Sequence, residues 1–154
     1  MNQAISGPMV GKTLTQLPAV RTQWKTWTKK NPSTLVLSDE TGYSRDYSID
    51  PYEGYYSVGS LMFPVGDVRK DLSAKARVMG IEISQKAKAY PLEWLRANPG
   101  ILNDQLAGVP IRIEVNPEGE VVSVTDNKGS LISATFSYWF AWQAFYPETE
   151  VFQK

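Results

Sequence analysis

The chain has 154 residues, with 16 basic and 16 acidic side chains and a formal net charge of zero. That balance excludes the basic footprint of a nucleic-acid binder. Histidine and cysteine are both absent, which removes the Ser-His-Asp triad, thiol nucleophiles, disulfides, zinc fingers and haem or iron–sulfur ligation by those residues.

A chain of this length can bury roughly 68–70% of the surface its unfolded form exposes, enough for one domain with a true core. No apolar run reaches the roughly 18–20 residues that a membrane span needs, so no membrane insertion by this chain is expected. Residues 1–11 lack the basic and apolar regions of a signal peptide.

In chain order, Gly7-Pro8-Met9-Val10-Gly11-Lys12-Thr13 looks like a phosphate loop. Its first glycine stands one residue too close to the Gly-Lys-Thr, and no helical pattern follows, so the segment reads as a turn. Val20, Trp24 and Trp27 fall at i, i+4 and i+7 and predict a helix over residues 18–31, opened by Pro18 and stopped by Pro32. Residues 35–37 read as a short buried strand, residues 41–59 as an irregular loop, and residues 61–65 as a strand or a plugging segment. Val78, Ile81 and Ile83 predict a strand that turns near residues 84–86 and returns over residues 88–90.

After Pro91, residues 92–97 read as one or two helical turns. Ile111, Ile113 and Val115 alternate with Arg112 and Glu114, the pattern of a half-buried strand. Asn116-Pro117-Glu118-Gly119 then turns it into a hairpin with residues 121–124. Residues 133–146 are aromatic and read as a helix ended by Pro147. The expectation is a single α+β domain over residues 1–154, with short antiparallel strands, two Trp-bearing helices and a long Tyr/Asp loop.

A short internal repeat runs through this pattern. Trp24, Trp27, Pro32, Thr34 and Val36 recur at a constant offset of 115 as Trp139, Trp142, Pro147, Thr149 and Val151. The physical reading is one unit used twice: an amphipathic helix showing a tryptophan pair, then an extended exit strand. Tryptophans at helical spacing belong to the core more often than to a ligand platform.

Candidate site residues concentrate in the Tyr/Asp loop, where Arg45, Asp46, Tyr47, Asp50 and Tyr52 crowd together. Such a loop can stack on rings and anchor polar groups, although tyrosines also pack long loops while keeping a wet hydroxyl. Asp46, Asp50, Asp67, Asp104 and Glu114 are the carboxylates that acid–base chemistry without histidine could use. Against that use, Asp50-Pro51 and Asn103-Asp104 read as turn initiators. No Asp-x-Asp-x-Asp-Gly calcium pattern is present, and neither a metal nor another cofactor is expected.

Several segments together resemble a bacterial and archaeal family, domain-of-unknown-function family 3179. They are Ala4-Ile5-Ser6-Gly7-Pro8, Leu17-Pro18, Thr22-Gln23-Trp24, Thr41-Gly42-Tyr43, Arg45-Asp46-Tyr47, Asp50-Pro51-Tyr52 and Phe63-Pro64-Val65. The match continues through Arg77-Val78-Met79-Gly80-Ile81, Lys88-Ala89-Tyr90-Pro91-Leu92, Asn103-Asp104 and Gly108-Val109-Pro110. The resemblance adds Lys88, Tyr90, Asn103 and Asp104 as secondary site candidates. It implies a periplasmic or cell-envelope setting, and longer relatives whose upstream half carries a Cys-Pro-Leu-Cys-Gly stretch that this chain lacks. Met1 stands almost on the first motif, so the resemblance implies a C-terminal fragment of a two-repeat protein.

The leading expectation is therefore a non-catalytic ligand-binding or structural module, with a small molecule or the missing upstream half as partner. The alternatives are a carboxylate-dependent hydrolase, or the partner half of a larger metal- or redox-linked protein. That last reading expects an exposed apolar patch, placed at residues 136–145.

Overall fold

Short strands with alternating apolar residues need partners on both edges, and the chain supplies them from three separate stretches. In the computed structural model, which describes residues 3–153, the chain divides into two compact units. One comprises Met1–Arg21 with Gly66–Lys154, and the other Thr22–Val65.

The unit Thr22–Val65 holds helices α1 (Trp24–Lys30) and α2 (Glu53–Ser57), and none of its residues is buried. The helix expected over residues 18–31 starts only at Trp24, because Gln23 is extended. Pro18, Ala19 and Val20 instead lie in an apolar crevice with Val121, Val124 and Phe136 of the other unit's own chain segments. Residues 35–37 form no strand: Leu35 and Leu37 are almost fully exposed, and an extended segment without a neighbour has nothing to bond its backbone to. Residues 61–65 likewise form neither strand nor plug, with Met62 and Phe63 exposed.

The larger unit is built on the hairpin of β1 (Arg77–Ile83) and β2 (Lys86–Pro91), closed by Ser84 and Gln85 at φ 49° and 65°. Two consecutive positive φ values make the tight turn that matches strand twist. From β2 the chain passes through α3 (Leu92–Ala97) into a three-stranded meander of β3 (Gly100–Leu106), β4 (Val109–Val115) and β5 (Val121–Thr125). It then returns as β6 (Ala134–Tyr138), antiparallel to β1, continues as α4 (Trp139–Phe145), and ends as β7 (Glu150–Val151), parallel to β2. The first sheet therefore has the order β6-β1-β2-β7. The fold is α+β with antiparallel strands dominant.

Two sequence readings are corrected here. The aromatic stretch 133–146 is helical only from Trp139, since Ala134 and Phe136 alternate towards the core and pair with β1. Asn103-Asp104 lies within β3 rather than in a turn. The reversal comes later, at Ala107 and Gly108, both at positive φ, so the ladder to β4 claims the Asn-Asp pair first.

Met79, Ile81 and Tyr90 of the first sheet meet Leu106, Ile111, Ile113 and Val124 of the second, with Leu92 and Leu95 of α3 in the same core. On the opposite face of the first sheet, Val78, Ala87 and Ala89 take Trp139 and Trp142 of α4. Gly80 makes that second layer possible. A Cβ on it would overlap the Trp142 ring, so glycine lets the indole lie flat on the strand.

Candidate functional site

The register Ile81↔Lys88 and Met79↔Tyr90 puts Lys88 and Tyr90 on the face of β2 that meets the second sheet. There Lys88 Nζ lies 2.8 Å from Asp104 Oδ2, the two side chains being 13% and 17% exposed. Tyr90 OH donates to the same oxygen at 2.9 Å, and the Gln105 amide donates to Oδ1 at 2.8 Å. Burial pushes the Asp104 carboxyl up, but Lys88, the Gln105 amide and Tyr90 together outweigh it and hold its pKa below the usual carboxylate value. Burial, then the Asp104 charge, raises the Tyr90 phenol far above its ordinary pKa.

The aromatic side of this node is equally filled. Phe152 stacks on Tyr90 at 5.6 Å and tilts against Trp94 at 4.8 Å, while Lys88 Nζ sits 5.8 Å from the Phe152 ring centre. Three of the four secondary candidates, Lys88, Tyr90 and Asp104, are thus brought together as a strut between sheets. The fourth, Asn103, is exposed and pairs with Arg112 on the ladder.

The Tyr/Asp loop has a different character. Arg45, Asp46, Tyr47, Asp50 and Tyr52 are all exposed. Asp46 Oδ1 accepts from the Ser48 amide at 2.9 Å and its hydroxyl at 2.6 Å. The hydroxyl bond and then the amide bond lower the Asp46 pKa. Asp50 Oδ1 accepts from the Tyr52 amide at 2.8 Å, so both carboxylates close their own turns. Arg45 lies over the Tyr47 ring at 5.9 Å, and Tyr47 OH shares a 2.8 Å hydrogen bond with Thr41. Glu114 pairs with Arg112 at 3.2 Å, and the Asp67 carbonyl accepts from Gln143.

A groove of about 400 Å³ lies over β6 beside α4. Leu14, Ala141, Trp142, Phe145 and Tyr146 give it apolar walls, and Gln16, Thr135 and Ser137 supply polar atoms. Gln16 is pinned to β6, donating to Thr135 Oγ1 at 2.9 Å and accepting from Ser133 Oγ at its carbonyl. Ser137 Oγ is buried without a hydrogen-bond partner. Tyr146 OH donates to Glu82 at 2.7 Å, and burial followed by that carboxylate raises its pKa to about 12.

Sequence reasoning missed this groove, because its residues come from three segments and share no spacing. It also missed Arg69, whose Nη1 reaches the Pro147 and Thr149 carbonyls at 2.8 and 2.7 Å. Its guanidinium lies 5.4 Å from the Trp139 ring centre, and its carbonyl accepts from Trp139 Nε1. Only a lone arginine marks that clamp in the sequence.

Among the described residues no three Asp or Glu side chains converge as a metal site would require, and no helix is long and apolar enough to cross a membrane. Residues 1–131 match the family described as "Protein of unknown function (DUF3179)". The chain belongs to this family. No curated protein and no solved structure matches it. The motif segments Lys88–Leu92 and Asn103-Asp104 therefore have a visible task in this family member: they build the strut between the sheets.

Proposed function

We propose that the chain is a non-catalytic ligand-binding module of the cell envelope, and that the groove over β6 is its ligand site. The observation that carries this reading is Ser137, whose buried hydroxyl lacks a partner in a groove walled by aromatic rings. Buried polar groups are nearly always satisfied, and an exception beside a cavity of ligand size points to an absent partner. Asp104 supports the non-catalytic part, since both its oxygens are committed to internal bonds. The envelope setting rests on the family resemblance of the motifs.

The ligand that fits is a compact, uncharged aromatic or aliphatic molecule with one hydrogen-bond acceptor. A fragment set of that kind, read by Trp142 chemical shift, tests the assignment. Binding should disappear in Ala141→Trp, which fills the groove, and weaken about tenfold in Ser137→Ala, the loss expected for one hydrogen bond. Affinity unchanged in both variants would remove the groove from consideration.

The Tyr/Asp loop is a second reading, favoured by the Arg45–Tyr47 stack. It requires that Tyr47→Ala with Asp50→Ala abolish binding while Ala141→Trp does not.

A further inference from the structure

The two copies of the internal repeat adopt the same hydrogen-bonded motif. Trp27 Nε1 donates to Thr34 Oγ1 at 2.8 Å, and Trp142 Nε1 to Thr149 Oγ1 at 2.9 Å. Each helix ends on a residue before proline, Asn31 at φ −132° and ψ 67° or Tyr146 at −130° and 70°. The amides of these residues return to the Trp27 and Trp142 carbonyls at 2.9 and 3.0 Å. Local geometry is therefore equal, and only the surroundings differ.

The second copy shows what this motif packs against. Trp139 and Trp142 are 0% and 3% exposed on a floor of Val78, Ala87 and Ala89, with Gly80 flat beneath the Trp142 ring. Its exit segment pairs parallel with β2, Ala89 opposite Val151, and delivers Phe152 onto Tyr90. In the first copy Trp24 is 52% and Trp27 39% exposed, Val36 is exposed, and Leu37, which corresponds to Phe152, is 96% exposed.

We infer that the Trp24–Trp27 face with its exit segment through Leu37 is a docking surface for a β-hairpin of the β1–β2 type, supplied by another polypeptide segment. The hairpin presents glycine where β1 has Gly80 and an Ala-Tyr pair where β2 has Ala89 and Tyr90. Its second strand pairs parallel with residues 35–37 and so gives that segment the neighbour it lacks. A flat floor is required because an indole on a strand leaves no room for a Cβ beneath it. This surface is separate from the groove over β6, and the inference stands whether or not the groove holds a ligand.

The probe is a copy of residues 76–92, which contains no tryptophan, joined to the N-terminus of the full chain through a flexible Gly/Ser linker of about 20 residues, so that docking is intramolecular. The full chain and the fusion are labelled with 5-fluorotryptophan, with Trp24→Phe and Trp27→Phe assigning the two resonances. The expected result is that those two resonances shift and the Trp27 indole N–H exchanges at least about tenfold more slowly, which one further protected bond accounts for. Gly80→Val in the appended copy should cancel both effects, and an added free peptide should reproduce them. Unmoved resonances in fusion and peptide titration would overturn the inference, as would shifts that survive Gly80→Val. So would a dimer of the unfused chain with Trp24 and Trp27 protected, which would make a second copy the occupant.

Discussion

Asp104 accepts from Lys88, Tyr90 and the Gln105 amide at the point where the two sheets meet. Because its folded pKa is lowered, its stabilisation is complete above the unfolded carboxylate range and is lost as pH falls below about 4. Asp104→Asn should cost about 2–3 kcal/mol at pH 7, a typical loss for hydrogen bonds to a charged group. Urea midpoints at pH 7 and pH 3 check the sign, and the variant's midpoint should change less between them than the wild type's. Gly80→Ala should destabilise by about 1–3 kcal/mol through overpacking against Trp142. Ser137→Ala should raise the melting temperature slightly, since it removes an unsatisfied buried hydroxyl. A polar motif in the sequence announced the neighbourhood of Lys88, Tyr90 and Asp104, but spacing cannot reveal that residues 14 positions apart share one oxygen. Gly80 was invisible for a similar reason: its cause is a tryptophan 62 positions later.

At the scale of elements, strands whose partner is a sequence neighbour were legible. The hairpins β1–β2 and β4–β5 and the helix α3 lie where alternation, turn residues and Pro91 place them. Elements decided by distant partners were not. The segment that became β6 shares an unbroken aromatic run with α4, and only pairing to β1 separates the two periods. Residues 35–37 have the composition of a strand, and the equivalent residues 150–152 show that pairing, not composition, decides. Equal motifs in unequal surroundings also give a quantitative contrast. Thr149→Val should cost about 1–3 kcal/mol by orphaning the buried Trp142 indole, whereas Thr34→Val should be near neutral because Trp27 is wet. Equilibrium unfolding of both variants decides the matter. At the β1–β2 turn, Gln85→Gly should stabilise by about 0.4–1 kcal/mol, since Gln85 holds φ 65° at a steric cost that glycine avoids.

On the scale of the whole molecule, the core belongs to the unit of Met1–Arg21 with Gly66–Lys154, while Thr22–Val65 contributes no buried residue. The exposed apolar surface expected at residues 136–145 is instead concentrated at Trp24, Leu35, Leu37 and Phe63, with Phe145 the main exposed apolar residue of the expected stretch. Sequence could not assign it, because the tryptophan pairs read alike and differ only in whether a sheet lies beneath them. The picture is a two-sheet frame, held by its family motifs, that carries one covered and one uncovered copy of the same motif. The most direct test is indole N–H exchange of the chain alone, since Trp27 and Trp142 donate to threonine hydroxyls at nearly the same distance. The expected result is Trp142 exchanging at least about a hundredfold more slowly than Trp27, because its opening requires the core to open. Equal rates for the two indoles would contradict the distinction between a covered and an uncovered copy.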